Sequence, residues 1–417
     1  MNRVIKIKNI AKINANSIGQ KDTFQEIIYL DTGSITRNVI SDTQKLNVLT
    51  DKIPSRAKRK VKAKTIIYST VRPNQEHYGF LENPADNFIV STGFTTIDVI
   101  DCEIDAKYIF YLLTQKYITD YLHNIGENSV SLYPAINPDD LANLTFSVPS
   151  LKTQQAIASV LSALDQKIAI NNQINAQLEQ MAKTLYDYWF VQFDFPDENG
   201  KPYQSSGGEM VYNDTLKRHI PKGWEVKSLG EIEPNIVTGK TPSTQNKNYF
   251  NGNIPFITIG DIRNNIFIFD TEQKLSNEGA NTQINKYLPE GSLCVSCIAT
   301  VGLIGFTTEK SQCNQQINSI IFDIEIHKPY FYFYLKNYFL FGKAKTGNTF
   351  SNMNKNDFSN IKIIYPNKDI LEKYFVEINK YFEEIKNLSK QNQQLTQLRD
   401  FLLPMLMNGQ ITINSNA

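Results

Sequence analysis

Cysteine, histidine and tryptophan are scarce in this chain: its 417 residues hold four, four and two of them. Four cysteines in a chain of this length build no disulfide scaffold. Cys294 and Cys297 form a lone C-x-x-C with Cys313 nearby. Zinc would need a second pair of ligands, and a redox pair would open a helix, whereas SLCVSCIAT reads as a strand on which positions three apart face opposite ways. Both cysteines are therefore expected to be structural. The histidines, His77, His123, His219 and His327, have no metal-ligand spacing. Long apolar runs are missing as well. YFYFYL at Tyr330–Leu335 is far shorter than the roughly 20 residues a membrane helix requires. MNRVIKIKNIAKIN has no continuous apolar stretch and no small-residue cleavage site. No membrane contact and a cytoplasmic location are expected.

Charge of one sign is also lacking, and a formal net charge of +1 argues against a uniformly basic nucleic-acid binder. Catalytic signatures are absent: there is no Asn/Asp-Pro-Pro-aromatic motif of an amino-methyltransferase, and no glycine-rich cofactor loop beyond VGLIG at Val301–Gly305, which alone is a weak signal. Thr238-Gly239-Lys240-Thr241 resembles the end of a phosphate-binding loop, but Pro234 stands where the first glycine belongs. Pro196-Asp197 has no acidic-x-lysine partner of a nuclease centre. A chain that recognises something, and leaves chemistry to others, is the expectation.

What the sequence does have is itself, twice. Asn137, Asp140, Asn143 and Pro149 in NPDDLANLTFSVP recur 217 residues later as Asn354, Asp357, Asn360 and Pro366 in NKNDFSNIKIIYP. Length suits two or three domains, and the repeat predicts a pseudo-two-fold molecule with two different faces. Residues 1–150 read as a mixed domain with strands VIKIKNI, EIIYL, KTIIYSTV, NFIVST and TTIDVI, a helix at Lys107–Leu122 and a closing strand NLTFSVP. Residues 224–366 follow the same plan with IPFITIGDI, IFIFD, SLCVSCIA and NSIIFDIEI, a helix at Pro329–Phe341 and NIKIIYP. Residues 194–223, rich in Pro, Gly, Asn, Asp and Ser, read as an irregular connector.

Residues 151–193 and 367–417 are expected to be long helices. Ile157, Leu161, Leu164, Ile168, Asn171, Asn175, Leu178, Ala182, Leu185 and Trp189 alternate spacings of four and three, and adding 217 gives Tyr374, Ile378, Tyr381, Ile385, Leu388, Asn392, Leu395, Arg399, Leu402 and Leu406. Each helix carries one coiled-coil seam that it cannot bury alone, so antiparallel pairing is expected. A helix of about 40 residues is roughly 60 Å long, enough to act as a ruler between two domains. Asn171, Asn175 and Asn392 interrupt the seam near its middle and are expected to fix helix register. The fold class is thus α+β: two mixed α/β domains separated by two long antiparallel coiled-coil helices.

Several of these stretches together resemble a known family, the specificity (S) subunits of Type I restriction–modification enzymes. They are STVRPNQEHYGFL, SLYPAINPDDLANLTFSVPSLKTQQAIASVLSALDQKI, LYDYWFVQFDFP, HIPKGWEVKSLGEI, TGKTPSTQNKNYFNGNIPFITIGDI, CNQQINSI and LTQLRDFLLPMLMNGQI, in that order along nearly the whole chain. The first domain departs from the pattern: where the second opens with IPKGWEVKSLGEI, it begins at MNRVIKIKNIAKI and keeps only the apolar spacing. The resemblance implies two target-recognition domains that bind a two-part, asymmetric double-stranded DNA site, with the helices setting the unread spacer. It implies two methyltransferase (M) subunits that flip and methylate adenine with S-adenosylmethionine, and restriction (R) subunits that use ATP and Mg2+. No cofactor is then expected in this chain.

Candidate contacts follow from side-chain chemistry. Lys58, Arg59, Lys60, Lys62 and Lys64 lie in a run, Lys52–Lys64, with no acidic residue among its cations, and would meet phosphates if the run is more than a solvated loop. Lys240 and Arg263 are the phosphate candidates of the second domain. Arg72, Asn74, Gln75 and His77 are base-edge candidates, as are Thr241, Ser243, Asn314, Gln315, Gln316 and Asn318 on loops expected to be comparable in the second domain. Three rivals remain at this point: a solitary nuclease or fused restriction–methylation fragment, a coiled-coil protein-interaction scaffold, and a silent or inhibitory relative of the S subunits.

Overall fold

The computed structural model of the chain describes residues 2–19, 21–128, 134–346 and 352–413. Ser131, Leu132 and Tyr133 of the quoted stretches lie outside them. The fold divides into two compact units, residues 1–166 with 396–417 and residues 167–395.

In the first unit, Arg3–Lys6 pairs antiparallel with Thr145–Val148, and Ile7 then opens a one-turn helix, Ile7–Ile10. VIKIKNI was expected to be one strand. It changes because its core residues, Ile5, Ile7 and Ile10, switch from a spacing of two to a spacing of three. The central sheet runs Ala11–Ile13, Phe94–Val99, Thr65–Ser69, Tyr78–Leu81, antiparallel throughout. A second sheet runs Gln44–Asn47, Glu26–Leu30, Phe88–Ser91, Ala57–Lys60, with its middle pair parallel. The helix expected at Lys107–Leu122 is two helices, Ala106–Leu113 and Lys116–Glu127. Thr114 Oγ1 donates to the Tyr111 carbonyl and Gln115 Nε2 to that of Leu112, which satisfies the first helix's last acceptors and ends it.

The second unit repeats this plan. Glu225–Ser228 pairs with Lys362–Tyr365 and leads into a one-turn helix, Leu229–Ile232. Its main sheet runs Ile236–Thr238, Ile317–Ile320, Leu293–Ser296, Ile304–Thr307, in the same antiparallel order, with Phe267–Ile268 added in parallel. Phe250–Ile257 lies between Gln273–Leu275 and Gln312–Cys313, antiparallel to the first and parallel to the second. Two expected strands are shorter than their apolar runs. IPFITIGDI leaves the sheet after Ile257, where Thr258 and Asp261 cap the helix Ile259–Ile262. NSIIFDIEI leaves it after Ile320 because the buried Glu233 carboxylate accepts from Asp323 N at 2.9 Å and meets His327 Nδ1 at 2.6 Å. Those contacts turn the chain into the helix His327–Thr346.

The repeated N-x-x-D motif has a plain physical role. Asn137 and Asp140 form a capping box on the helix Pro138–Ala142, and Asn354 caps Lys355–Ser359 by accepting from Asp357 N at 2.9 Å. The residue before each cap ties it to the main sheet: Ile136 N donates to Thr70 O at 2.8 Å, and Met353 N to Cys297 O at 2.9 Å. Cys294 packs in a cluster with Ile257, Cys313 and Ile317, while Cys297 packs in another with Val295 and Val301. Cys294 lies on the strand Leu293–Ser296 and Cys297 one residue past its end, and the two pack into different clusters.

The long helices are Leu151–Tyr186, extended by a π-helical turn Asp187–Val191, and Lys368–Met407. Every seam position read from the sequence is buried or half-buried. In the second unit Asn171 Nδ2 donates to Asn392 Oδ1 at 2.9 Å and Asn175 Nδ2 to Ser389 Oγ at 3.2 Å, so the partner number falls as the residue number rises and the helices are antiparallel. In the first unit Arg399 Nη1 meets Asp165 Oδ1 at 2.9 Å. The connector is more ordered than expected. It holds a hairpin, Met210–Asn213 with Arg218–Pro221, and a local aromatic core in which Phe195 stacks on Trp224 and Tyr203 with centroids 4.9 and 4.7 Å apart.

Candidate nucleic-acid interface

The basic run of the first unit is an edge strand and its following turn. Lys58, Arg59 and Lys60 lie on Ala57–Lys60, the last strand of the second sheet, and Lys62 and Lys64 follow in the turn before Thr65. The fold brings acids to a run that has none among its cations in sequence: Lys60 Nζ is paired with Asp22, and Lys62 Nζ stands 4.0 Å from the buried Asp98. Arg59 is half-buried with no described partner on Nε, and burial pulls its guanidinium below the usual arginine value. Lys58 and Lys64, like Lys52 and Arg56 earlier in the run, are exposed, and no ion pair is seen for them among the described residues.

Arg72, Asn74, Gln75 and His77 surround a 3-10 turn, Pro73–Gln75, with Arg72 and Glu76 both in the left-handed region at φ 47° and 55°. Asn74 and Gln75 are exposed. His77 is not poised to read bases: Nδ1 lies 2.5 Å from Ile35 O and 3.2 Å from Thr36 Oγ1, and Nε2 lies 3.2 Å from Gln75 Oε1. It fastens this turn to the hairpin Ile35–Thr36 with Val39–Ile40. The hairpin's turn residues, Arg37 and Asn38, are also left-handed, and Arg37 Nε pairs with Glu76. Sequence reasoning missed this hairpin, although ITRNVI, a polar dipeptide between β-branched pairs, signals one.

In the second unit two candidate loops meet. Lys240 N donates to Cys313 O at 3.0 Å, Gly239 N to Ile317 O at 3.1 Å, and Thr241 Oγ1 to Gln315 Oε1 at 2.6 Å. Gly239 is required at the crossing, since a Cβ there would stand 2.2 Å from Asn314 O and 2.3 Å from Cys313 O. The glycine of TGKT thus serves loop packing. Lys240, Ser243 and Gln315 are exposed, and Asn314 and Gln316 are half-buried. Asn318 is a correction: it is 2% exposed, accepts from Thr238 Oγ1 at 2.6 Å and donates to Met353 O at 3.4 Å, so a base edge has no route to it. Arg263 is exposed at the end of the helix Ile259–Ile262, and none of the contacts that join the two loops involves it.

The expectation of comparable loops in the two domains also needs correcting. Arg72–His77 join the third and fourth strands of the first unit's main sheet, whose counterpart is residues 297–303. Lys240–Ser243 follow the first strand, Ile236–Thr238, and correspond to the residues after Ala11–Ile13. Sequence reasoning therefore missed residues 297–303, where Ala299 adopts φ 62°, and 14–18, where Asn14 adopts φ 51°. Among the described residues no three His, Cys, Asp or Glu side chains converge as a metal site, and no helix is long and apolar enough to cross a membrane.

Residues 2–180 and 221–397 each match the family model of the Type I restriction modification DNA specificity domain. The chain is 34% identical over 440 residues to the Type I restriction enzyme HindI specificity subunit of Haemophilus influenzae, across 94% of this chain and 95% of that protein. It is 29% identical over 404 residues to the MjaIX specificity subunit of Methanocaldococcus jannaschii, across 93% of this chain and 84% of that protein. The crystal structure of a Type-I restriction-modification S subunit from M. genitalium shares the fold, with a TM-score of 0.51 at 16% identity over 97% of this chain and 96% of that one. Two matched ranges that fall on the two copies of the repeat, and a relative matched almost end to end, place this chain in the family of Type I restriction–modification specificity subunits.

Proposed function

We propose that this chain is the DNA-reading subunit of a Type I restriction–modification assembly. Each repeat binds one part of an asymmetric, two-part duplex site, and the chain directs partner subunits to that site without catalysing a reaction itself. Methyltransferase subunits bring S-adenosylmethionine for adenine methylation, and restriction subunits bring ATP and Mg2+. The observation that carries the proposal is the pairing of one scaffold with two loop sets. The main sheets share strand order, while the loops at their ends differ in length, sequence and hydrogen bonding. A shared scaffold with divergent loops suits one mode of docking applied to two different sequences.

The test is to co-express the chain with its methyltransferase subunits and map methyladenine across the host genome by long-read sequencing. A two-part asymmetric motif that disappears when this chain is omitted is the expected result. A stable complex that methylates no new motif would leave the chain as a silent or purely scaffolding relative. DNA cleavage by the purified chain alone would restore an enzymatic function.

A further inference from the structure

The joined loops of the second unit have an unusual balance of hydrogen-bonding groups. Many of their acceptors are taken. Lys240 O accepts from Gln283 Nε2 at 2.6 Å, and Cys313 O accepts from Lys240 N. Asn314 O accepts from Ile317 N at 3.2 Å, and Gln316 O accepts from Cys297 N at 2.8 Å. Among the side chains, Asn314 Oδ1 accepts from Gln316 N at 3.1 Å, which fixes the orientation of that amide. Asn314 Nδ2 must then be the donor to Gln316 Oε1, at 3.2 Å. Gln315 Oε1 is held by Thr241 Oγ1. The Thr241 and Gln315 carbonyls and the Ser243 hydroxyl have no described partner, but the side-chain amide and ammonium groups left for an outside partner are all donors: Lys240 Nζ, Gln315 Nε2 and Gln316 Nε2.

Resting on the proposal that this chain binds duplex DNA, we infer that Lys240, Gln315 and Gln316 form a phosphate-binding site that grips the DNA backbone. Phosphodiester oxygens are acceptors only and carry negative charge, which matches a lysine ammonium flanked by two outward amide donors. Base reading by glutamine works differently. Gln reads adenine by offering its oxygen to N6 and its nitrogen to N7 together, and the oxygens of Gln315 and Gln316 are already engaged inside the loops. Thr241 and Asn314 act as positioning residues, holding the two amides with their nitrogens outward. This moves Thr241, Asn314, Gln315 and Gln316 from base contacts to the group that sets docking and register.

The test uses the full chain in complex with its methyltransferase subunits and measures affinity for cognate and unrelated duplexes between about 50 and 200 mM salt. Lys240→Gln is expected to lower the slope of log affinity against log salt by about 0.9, so that the variant loses about threefold less affinity than the wild type over that range. Gln316→Glu, which turns an outward donor into an anion, is expected to weaken both duplexes by the same factor while the methylated motif keeps every base. Relaxed specificity at one base pair, with the salt slope unchanged, would overturn the phosphate site in favour of base reading. Unchanged affinity in both variants would remove these residues from the interface. A wild-type complex that binds no duplex would sink the underlying function instead, a result the variants cannot mimic.

Discussion

Cys102 is exposed, while Cys294, Cys297 and Cys313 are buried, and burial pushes the thiols of Cys297 and Cys313 up to about 11 and about 12. Because the thiolate is the reactive form, a thiol reagent at neutral pH should modify one cysteine in the native chain and all four in denaturant. More than one fast-reacting thiol would contradict the burial of Cys294, Cys297 and Cys313. Gly239→Ala addresses the loop crossing. With backbone oxygens 2.2 and 2.3 Å from the new Cβ, the loops must part, at a cost of about 1–3 kcal/mol in chemical denaturation. On the phosphate-site proposal, DNA affinity falls as well. Neither Gly239 nor Asn318 was legible from sequence. A glycine before a lysine suggests a nucleotide loop, and an asparagine beside a polar loop suggests a solvated side chain, until a strand 80 residues away supplies Thr238 as its partner.

The long helices were legible because a seam of alternating fours and threes survives over ten positions in each. Their register was not, since the sequence does not say which asparagine meets which. The contacts Asn171–Asn392 and Asn175–Ser389 are near images of each other, because adding 217 sends Asn175 to Asn392 and Asn171 to Leu388. Asn392→Leu alone should cost about 1–3 kcal/mol, because it leaves the buried Asn171 amide only the longer, 3.5 Å contact to Gln391 Oε1. Asn171→Leu combined with Asn392→Leu should recover most of that loss, and a double-mutant cycle in urea would measure the coupling. Additive losses would mean that the two side chains do not act as a pair. Short strands were the least readable elements. NSIIFDIEI has strand composition along its whole length, yet it leaves the sheet where Glu233, distant in sequence, captures Asp323 and His327.

At the scale of the whole chain, the repeat was the most legible feature, because capping residues and prolines at one fixed offset reflect the same helix–strand–helix passage in both halves. Loop equivalence was the least legible, because insertions between strands hide which connection matches which. The division of the chain adds something the offset does not reveal. The first unit takes residues 1–166 and closes with 396–417, and its core joins Ile157 and Leu161 to Leu406, with Leu402 and Leu403 packed alongside. The second unit is one continuous stretch, 167–395. Truncation after residue 395 should therefore leave the second unit resistant to limited proteolysis and expose the first. Equal protection of both would refute this division of the core. During translation the same arrangement reverses the usual order. The first unit must wait, its apolar helix face uncovered, while the second folds, and it is completed only when residues 396–417 arrive. A premature stop just before residue 396 would thus damage the first-made domain and spare the second.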